Sequence, residues 1–184
     1  MIDLVVLRHF ETIWNKEKRL QGHMDLPLLT SSTTLRLPKY TEMFSVVSSP
    51  LKRTVQTAQL LGLSPKSEDA LKEMDYGEWQ GQTTLNLNKD EQAKGLYMTP
   101  PGGESPKDVM DRLLPWIQTL THPTVAITHK GIIRAMLSLA TGWDMTHDFP
   151  EKIQWNACHH FKVHDGCLNI HQLNIPLEVT TNET

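Results

Sequence analysis

The sequence predicts an α/β protein, a three-layer α/β/α sandwich with a mostly parallel central sheet. Two apolar segments support this prediction, because each has the length and composition of a buried strand. Residues 2–7 (IDLVVL) are apolar on both faces, as expected for a strand in the middle of a sheet. Residues 124–128 (TVAIT) have the same character and precede a helical pattern, IIRAMLSLATG, so strand and helix alternate as in an α/β fold.

The elements between these two strands fit the same architecture. Residues 44–48 form a short apolar pattern that predicts a third strand, and a predicted helix, PLKRTVQTAQLLGL, follows. Arg53 falls in the first turn of this helix. An apolar face repeats at helical spacing through residues 105–120, a second predicted helix in which we expect Pro115 to cause a kink.

Two strand-like segments near the end of the chain, residues 156–163 and 167–173, predict a hairpin. In the simplest register Val163 lies opposite Cys167. This register places Cys158 too far from Cys167 for a disulfide, so we expect two reduced thiols.

The chain is expected to form one domain, residues 1–184, because this length is ordinary for a single domain. Residues 74–103 are polar and interrupted by Gly and Pro, which predicts a short, irregular, lid-like excursion over the edge of the sheet, where it would cover an active site. The polar tail, residues 178–184, is expected to fray.

Charge and hydropathy exclude several kinds of partner. The formal net charge is −3 and no run of five like charges occurs, so we expect no nucleic-acid surface. The opening apolar run meets Arg8 too early for a signal peptide, and no stretch approaches the roughly 20 apolar residues of a membrane span. We therefore expect a cytoplasmic protein with no membrane partner. The sequence does not indicate an oligomeric state.

Basic side chains and histidines follow the predicted strands. Arg8 and His9 end the first strand, His129 ends the strand of residues 124–128, and Arg53 lies near a helix N-terminus. Ligands of open α/β sheets bind at the carboxyl ends of strands, and cations there suit a phosphoryl group. In this interpretation neutral His9 is the nucleophile, its second ring nitrogen donates to a backbone carbonyl, and His129 adds a third donor if protonated.

The leaving alcohol of a phosphate ester also needs a proton, which a carboxylic acid can supply. The segment LKEMDYGEWQG offers Glu73, Asp75 and Glu78 as candidates. Periodicity alone does not choose among these three carboxyl groups.

Five sequence blocks resemble the signatures of the histidine phosphatase superfamily, the group that contains the phosphoglycerate mutases and fructose-2,6-bisphosphatase. In the family pattern, Arg-His-Gly is followed by Glu-Thr, Trp-Asn and Gln-Gly, to which LVVLRHFETIWNKEKRLQGHMDLPL is similar. SSPLKRTVQTAQLL, LKEMDYGEWQGQT, PGGES and VAITHKGIIRAML follow in the family's order. The resemblance covers about residues 2–141.

The resemblance implies a phosphomonoesterase that forms a phosphohistidine on His9 and acts on a small phosphorylated metabolite. It implies no metal and no other cofactor. Glu73 occupies the proton-donor position of the small phosphatases. The phosphate- and substrate-binding residues implied by the resemblance are Arg8, Asn15, Gln21, Gly22, Arg53 and His129.

Three positions depart from the family pattern. Phe10 replaces the glycine after the first histidine, so a bulky ring is expected to narrow the pocket or to change the loop path. Lys130 replaces a common glycine after the second histidine and is either an additional positive group or a solvated side chain. Residues 30–37 lack a familiar glycine, which is expected to affect only the start of a helix.

Hydrolysis is favoured over the alternative of a phosphoglycerate-type mutase. Mutases of this family insert a long basic segment between the acidic block and the PGGES-like block, whereas about 20 residues separate Gly81 from Pro101 here. Their only basic residues are Lys89 and Lys94. A further alternative is a non-catalytic phosphate-binding or interaction member of the family.

The predicted hairpin also places His159 opposite His171. Two histidines without a positioned carboxylate are a poor zinc site, so we interpret them as surface side chains and predict no metal site.

Overall fold

The protein, seen in a computed structural model that describes residues 1–83 and 89–180, is built around one mixed, mostly parallel sheet. Its strands and α-helices, in chain order, are β1 (Ile2–Arg8), α1 (Ile13–Lys16), β2 (Leu35–Arg36), β3 (Ser45–Ser48), α2 (Lys52–Leu60), β4 (Lys66–Ser67), α3 (Lys89–Gln92), α4 (Pro106–Thr119), β5 (Thr124–Thr128), α5 (Lys130–Thr141), β6 (Cys158–His164), β7 (Cys167–Ile175) and β8 (Glu178–Val179). The sheet order is β4-β3-β5-β1-β6-β7. The first four strands pair in parallel, and β6 pairs antiparallel with β1 and β7.

Helices cover both faces of this sheet, because the central strands are apolar on both sides. In β1, Leu4 and Val6 belong to the core that includes residues of α4 and α5. Val5 and Leu7 point the other way, into a smaller core that includes Ala58 of α2. All four side chains are fully buried. The predicted α/β/α sandwich is therefore confirmed.

Local signals in the sequence account for the ends of the long helices. Ser105 caps α4: its hydroxyl accepts from the Asp108 N–H, while the Asp108 carboxylate accepts from the Ser105 N–H. The helix continues through Pro115 to Thr119. α5 ends at Gly142, whose φ of 75° is a left-handed conformation that glycine adopts without strain.

The hairpin of β6 and β7 forms as predicted, but its register was wrong by one residue. His164, rather than Val163, lies opposite Cys167. Irregular pairing near His160 then shifts the strands again, and a bulge of this kind is not visible in an alternating sequence pattern. As a result the ring that meets His171 is that of His160, at 4.6 Å between centroids, and not that of His159.

The two cysteines lie at opposite ends of this hairpin. Cys167 is at the turn and exposed, whereas Cys158 is buried and pairs with Ile175. Both thiols are free.

The end of the described chain differs from the prediction of a frayed tail. Glu178–Val179 forms a two-stranded sheet with Leu35–Arg36, and the Arg36 Nε donates to the Glu178 carboxylate at 3.0 Å. Residues 181–184 lie outside the described residues. Residues 30–44 likewise differ from the expected helix start, because they contain β2 and a single 3-10 turn, Lys39–Thr41.

The predicted excursion over residues 74–103 is described except for residues 84–88. It contains the 3-10 turns Gly77–Trp79 and Gly95–Tyr97 and the short helix α3. Within the described ranges, no helix is both long enough and apolar enough to cross a bilayer.

Candidate active site

The two histidines identified in the sequence lie side by side at the carboxyl edge of the sheet. β1 and β5 are parallel neighbours, with Arg8 paired to Thr128, so the residues that follow them meet at one edge. The His9 N–H donates to the Thr128 carbonyl oxygen at 2.9 Å, which extends the ladder by one residue. The ring centroids of His9 and His129 are consequently 5.2 Å apart.

A pocket of about 690 Å³ opens beside His9. Five of the eight predicted site residues line it: Arg8, His9, Asn15, Gln21 and Glu73. The remaining three, Gly22, Arg53 and His129, do not line the pocket. Arg53 joins them by donating hydrogen bonds to Gly22 and His129. The sequence therefore identified residues of the pocket wall and residues of its support, without separating the two groups.

The His9 ring is held in one tautomer. Its Nδ1 lies 2.6 Å from the carbonyl oxygen of Phe10, which can only accept, so Nδ1 carries the proton and the lone pair is on Nε2. Burial, followed by the positive charges of Arg8 and Arg53, lowers the pKa of His9 well below its ordinary value. A neutral imidazole with a free Nε2 lone pair has the properties of a nucleophile.

Arg53 is fully buried, and all three of its donor groups are engaged. Its Nε donates to His129 Nδ1 at 3.2 Å, and its two terminal nitrogens donate to the carbonyl oxygens of Met24 and Gly22 at 2.7 and 2.8 Å. Burial lowers the pKa of Arg53 to about 10, against the opposing effect of the Glu73 charge. Arg53 thus anchors the Gly22 segment and holds a positive charge close to His9.

His129 is a neutral ring in this structure, and its action as a third donor when protonated stays a prediction. Its Nδ1 accepts from Arg53, so Nε2 carries the proton and donates to the Ser49 hydroxyl oxygen at 2.9 Å. Burial, followed by the charge of Arg53, lowers the pKa of His129 well below its ordinary value. His129 positions Arg53 and packs against His9 in this state.

Arg8 is the cation that reaches the pocket from β1. Its Nε is buried and has no hydrogen-bond partner among the described residues. Burial lowers the pKa of Arg8, while the nearby carboxylate of Glu73 opposes this shift. A buried N–H without a partner is costly, and an oxygen of a bound anion would satisfy it.

Glu73 is the one of the three candidate carboxyl groups that lines the pocket. Its two oxygens accept from the backbone N–H groups of Met74 at 2.9 Å and Gly131 at 3.3 Å. Gly131 permits this approach, because a Cβ built there would clash with Glu73 Oε1 and displace the carboxylate. Arg112 supports the same segment by donating to the Glu73 carbonyl oxygen at 3.2 Å.

Asp75 and Glu78 do not line the pocket. The Asp75 carboxylate caps a turn by accepting from the Gly77 N–H at 2.9 Å, and its other oxygen lies 3.7 Å from a ring nitrogen of His23. Glu78 is exposed in the following 3-10 turn. The geometry thus separates three carboxyl groups that periodicity left equivalent.

The polar residues after β1 are ordered by α1. Thr12 caps this short helix, and its N–H donates to Asn15 Oδ1 at 3.0 Å. The Thr12 hydroxyl also donates to Gln21 Oε1 at 2.8 Å. These bonds use the side-chain oxygens of Asn15 and Gln21 as acceptors. The amide NH₂ groups of the two residues are the donors that could bind an anion. Gly22 has a φ of 52° and contributes its carbonyl oxygen to Arg53.

Phe10 does not narrow the pocket as expected, since it is not part of the pocket wall. It does not adopt a positive φ either, so the loop needs no glycine at this position. Its N–H donates to the Thr57 hydroxyl oxygen at 2.9 Å, and Thr57 in turn donates to the Arg53 carbonyl oxygen at 2.7 Å. The Phe10 backbone therefore connects α2 with the ring of His9.

Two further cations line the pocket from α5. Lys130, which the sequence left as either a positive group or a solvated side chain, lies in the pocket wall and over the Trp155 ring, with Nζ 5.0 Å from the ring centroid. Arg134 was not identified from the sequence, and its guanidinium lies 5.0 Å from the Trp143 ring centroid. The spacing of four residues on a helix that begins after His129 is the signal that would have found it.

Metal ligands are not gathered anywhere in residues 1–83 and 89–180, where no group of three or more His, Cys, Asp or Glu side chains has the arrangement of a metal site. In the hairpin, the rings of His160 and His171 are in contact. His160 Nε2 is already within 2.8 Å of the Asp3 carboxylate, which engages that nitrogen.

Comparison with known proteins matches residues 4–176 to the histidine phosphatase superfamily (branch 1). The chain is 32% identical to glucosyl-3-phosphoglycerate phosphatase of Mycolicibacterium vanbaalenii, over 76% of this chain and 74% of that protein. It is 31% identical to phosphoglycerate mutase-like protein 4 of Arabidopsis thaliana, over 75% and 70% of the two chains. Among solved structures, TTHB049 of Thermus thermophilus is similar with a TM-score of 0.76 and 27% identity, covering 95% of this chain and 99% of that one.

Proposed function

The chain belongs to the histidine phosphatase superfamily, and we propose that it hydrolyses a small phosphomonoester through a phosphohistidine intermediate on His9. It is an enzyme, a phosphoric monoester hydrolase that acts on small metabolites. The observation that carries the proposed mechanism is the hydrogen bond from His9 Nδ1 to the Phe10 carbonyl oxygen. This bond assigns the proton to Nδ1 and makes the Nε2 lone pair available in the pocket.

The first step transfers the phosphoryl group to the protein. The lone pair of His9 Nε2 forms a bond to phosphorus while the bond between phosphorus and the ester oxygen breaks. The carboxylic acid form of Glu73 gives its proton to the departing oxygen, so the product leaves as an alcohol. Two backbone N–H groups fix the Glu73 carboxyl group in the pocket wall for this role.

The second step releases phosphate. Glu73, now a carboxylate, takes a proton from a water molecule as the water oxygen bonds to phosphorus. The bond between phosphorus and Nε2 breaks, and the electron pair returns to the His9 ring. Over both steps, one ester and one water are converted to one alcohol and one phosphate, and the enzyme is unchanged.

Positive charge stabilises the phosphoryl oxygens in both steps. Arg8 supplies the buried, unpartnered Nε at the pocket. Arg53 adds charge from behind the histidines. Burial, followed by the charges of these two arginines, lowers the pKa of His9 and so keeps the nucleophile neutral. We assign the side-chain amides of Asn15 and Gln21 as further donors to the phosphoryl oxygens.

Residues 74–103 are proposed to act as a partial cover of this pocket within a single domain. Met74, Tyr76 and Met98 of this segment line it. The short length of the segment favours hydrolysis over mutase activity, because a mutase must exclude water from its phosphoenzyme. We also propose a cytoplasmic location, where thiols such as the unpaired Cys158 and Cys167 stay reduced.

The proposal is tested with a panel of phosphomonoesters assayed for inorganic phosphate release in the presence of a chelator. The wild type and the exposed-histidine control His122→Ala should turn over the same esters. His9→Ala should lose at least about a thousandfold in kcat/KM while keeping the thermal unfolding midpoint of a folded protein. Wild-type turnover by His9→Ala, or activity that the chelator abolishes and a divalent ion restores, would contradict the proposed mechanism.

Product analysis in the same assay separates the alternatives. Transfer of the phosphoryl group to a second position of the substrate, with no phosphate released, would establish a mutase. Binding of phosphate esters with no turnover of any ester would establish a non-catalytic member of the family.

A further inference from the structure

The first two turns of α5 carry two cations into the pocket beyond the residues assigned to phosphoryl transfer. Lys130 is the first residue of the helix, and Arg134 follows one turn later on the same face. Neither side chain forms an ion pair with any described residue: both are held on tryptophan rings, Trp155 and Trp143.

This placement is electrostatically unfavourable for the protein by itself. The N-terminal end of a helix carries a positive partial charge, so cations in the first turns are destabilising there, and like charges four residues apart repel. No acidic residue of the first turn offsets them. Burial lowers the pKa of Lys130, the charge of Arg134 lowers it further, and the carboxylates of Glu73 and Asp148 oppose the shift.

The mechanism proposed above assigns no role in phosphoryl transfer to Lys130 or Arg134. Five basic residues line the wall (Arg8, Lys18, Arg19, Lys130 and Arg134) against two acidic ones (Glu73 and Asp148). In the mechanism above, Arg8 and the buried Arg53 supply the positive charge that acts on the phosphoryl oxygens. Arg19 is paired with Glu17 at 2.7 Å. The pocket wall therefore carries more basic than acidic side chains, and Lys130 and Arg134 are two of them.

We propose that Lys130 and Arg134 form a second anion-binding subsite, so that the preferred substrate carries a carboxylate or a second phosphate on its alcohol portion. This inference rests on the proposed function, because it concerns the leaving group of the same reaction. The tryptophan rings fix the two cations in the wall, and the pocket has room for an alcohol portion beside His9. Lys130 and Arg134 then determine specificity, while His9 and Glu73 perform the chemistry.

The test compares esters that differ only in the second charge. Phosphoglycolate and 2-hydroxyethyl phosphate differ by a carboxylate in place of a hydroxymethyl group, and ethylene glycol bisphosphate adds a phosphate instead. We expect the wild type to prefer one or both of the esters with a second anionic group to 2-hydroxyethyl phosphate. Lys130→Gln and Arg134→Gln should each lower kcat/KM for that ester by about tenfold or more and leave 2-hydroxyethyl phosphate nearly unchanged.

A surface lysine outside the pocket provides the matched control, Lys152→Gln, which should not change either rate. Equal losses on charged and neutral esters in the Lys130 and Arg134 variants would overturn the subsite, because these cations would then serve the transferred phosphoryl group. Equal wild-type rates on all three esters would overturn it as well. Both results leave hydrolysis intact, whereas absence of turnover on every ester would contradict the proposed function itself.

Discussion

The contact between Thr57 and the Phe10 backbone predicts how a residue outside the pocket affects the nucleophile. The Thr57 hydroxyl oxygen accepts from the Phe10 N–H at 2.9 Å, and the carbonyl oxygen of Phe10 accepts from His9 Nδ1 at 2.6 Å. Replacing Thr57 by Val keeps the shape of the side chain but removes the acceptor of the Phe10 N–H and the donor to the Arg53 carbonyl oxygen. Leaving a buried donor without an acceptor destabilises a protein by about 1–3 kcal/mol. The hydrogen bond of the Phe10 N–H is only partly buried, so we expect the free energy of unfolding to fall by about 1–2 kcal/mol.

Turnover should fall together with stability in Thr57→Val. If about 1 kcal/mol of the loss acts on the bond between Nδ1 and the Phe10 carbonyl, kcat/KM falls about fivefold, because the productive tautomer is held less firmly. Urea unfolding and steady-state kinetics on one ester measure the two effects. Thr57→Ser keeps the hydroxyl and should recover most of the turnover. A Thr57→Val protein that is destabilised but turns over at the wild-type rate would refute this reasoning.

Further predictions follow from Glu73, Gly131 and His159. Glu73→Gln should lower kcat on alkyl phosphates about 10²- to 10⁴-fold but much less on p-nitrophenyl phosphate, whose leaving group needs no proton; equal losses on both would contradict a proton donor. Gly131→Ala should reproduce the same selectivity, because its Cβ displaces the Glu73 carboxylate. Burial lowers the pKa of His159 from 6.5 to about 4. As the pH falls from 6.5 to about 4, the unfolded chain takes up a proton that the folded protein does not, so the free energy of unfolding should decrease over this range. His159→Leu should reduce this acid-dependent loss, measured by urea unfolding at pH 7 and pH 4.5, by up to roughly 3 kcal/mol, and an unchanged loss would refute this role.

The sequence predicted which residues lie at the carboxyl edge of the sheet, because short apolar runs alone identify the strands that these residues follow. Runs such as LVVL and TVAIT are buried strands in almost any α/β context, and parallel neighbours bring the residues that follow them together. His9 and His129 therefore meet as the pattern indicated. Arg53 was placed correctly in the first turn of α2, but a helix position alone does not reveal that carbonyl oxygens of a distant loop engage its guanidinium.

Features that depend on distant pairing were not predictable in this way. Glu178–Val179 pairs with Leu35–Arg36 across most of the chain, and strands of two residues carry no periodic signal. The bulge near His160 changes the register of the hairpin without changing its alternation of apolar residues. Arg134 was missed for a different reason: its spacing from Lys130 places both residues on one face of α5, but the spacing alone does not show that this face borders the pocket.

The most direct test of the account is to determine whether His9 carries the phosphoryl group during turnover. The enzyme is mixed with a ³²P-labelled ester, quenched in alkaline denaturant within one turnover, digested and mapped. We predict a label that is stable in base, labile in acid and located on the peptide containing His9, and no such label in His9→Ala. A label on another residue, or hydrolysis by the wild type without any labelled protein in the first turnover, would contradict the phosphohistidine mechanism.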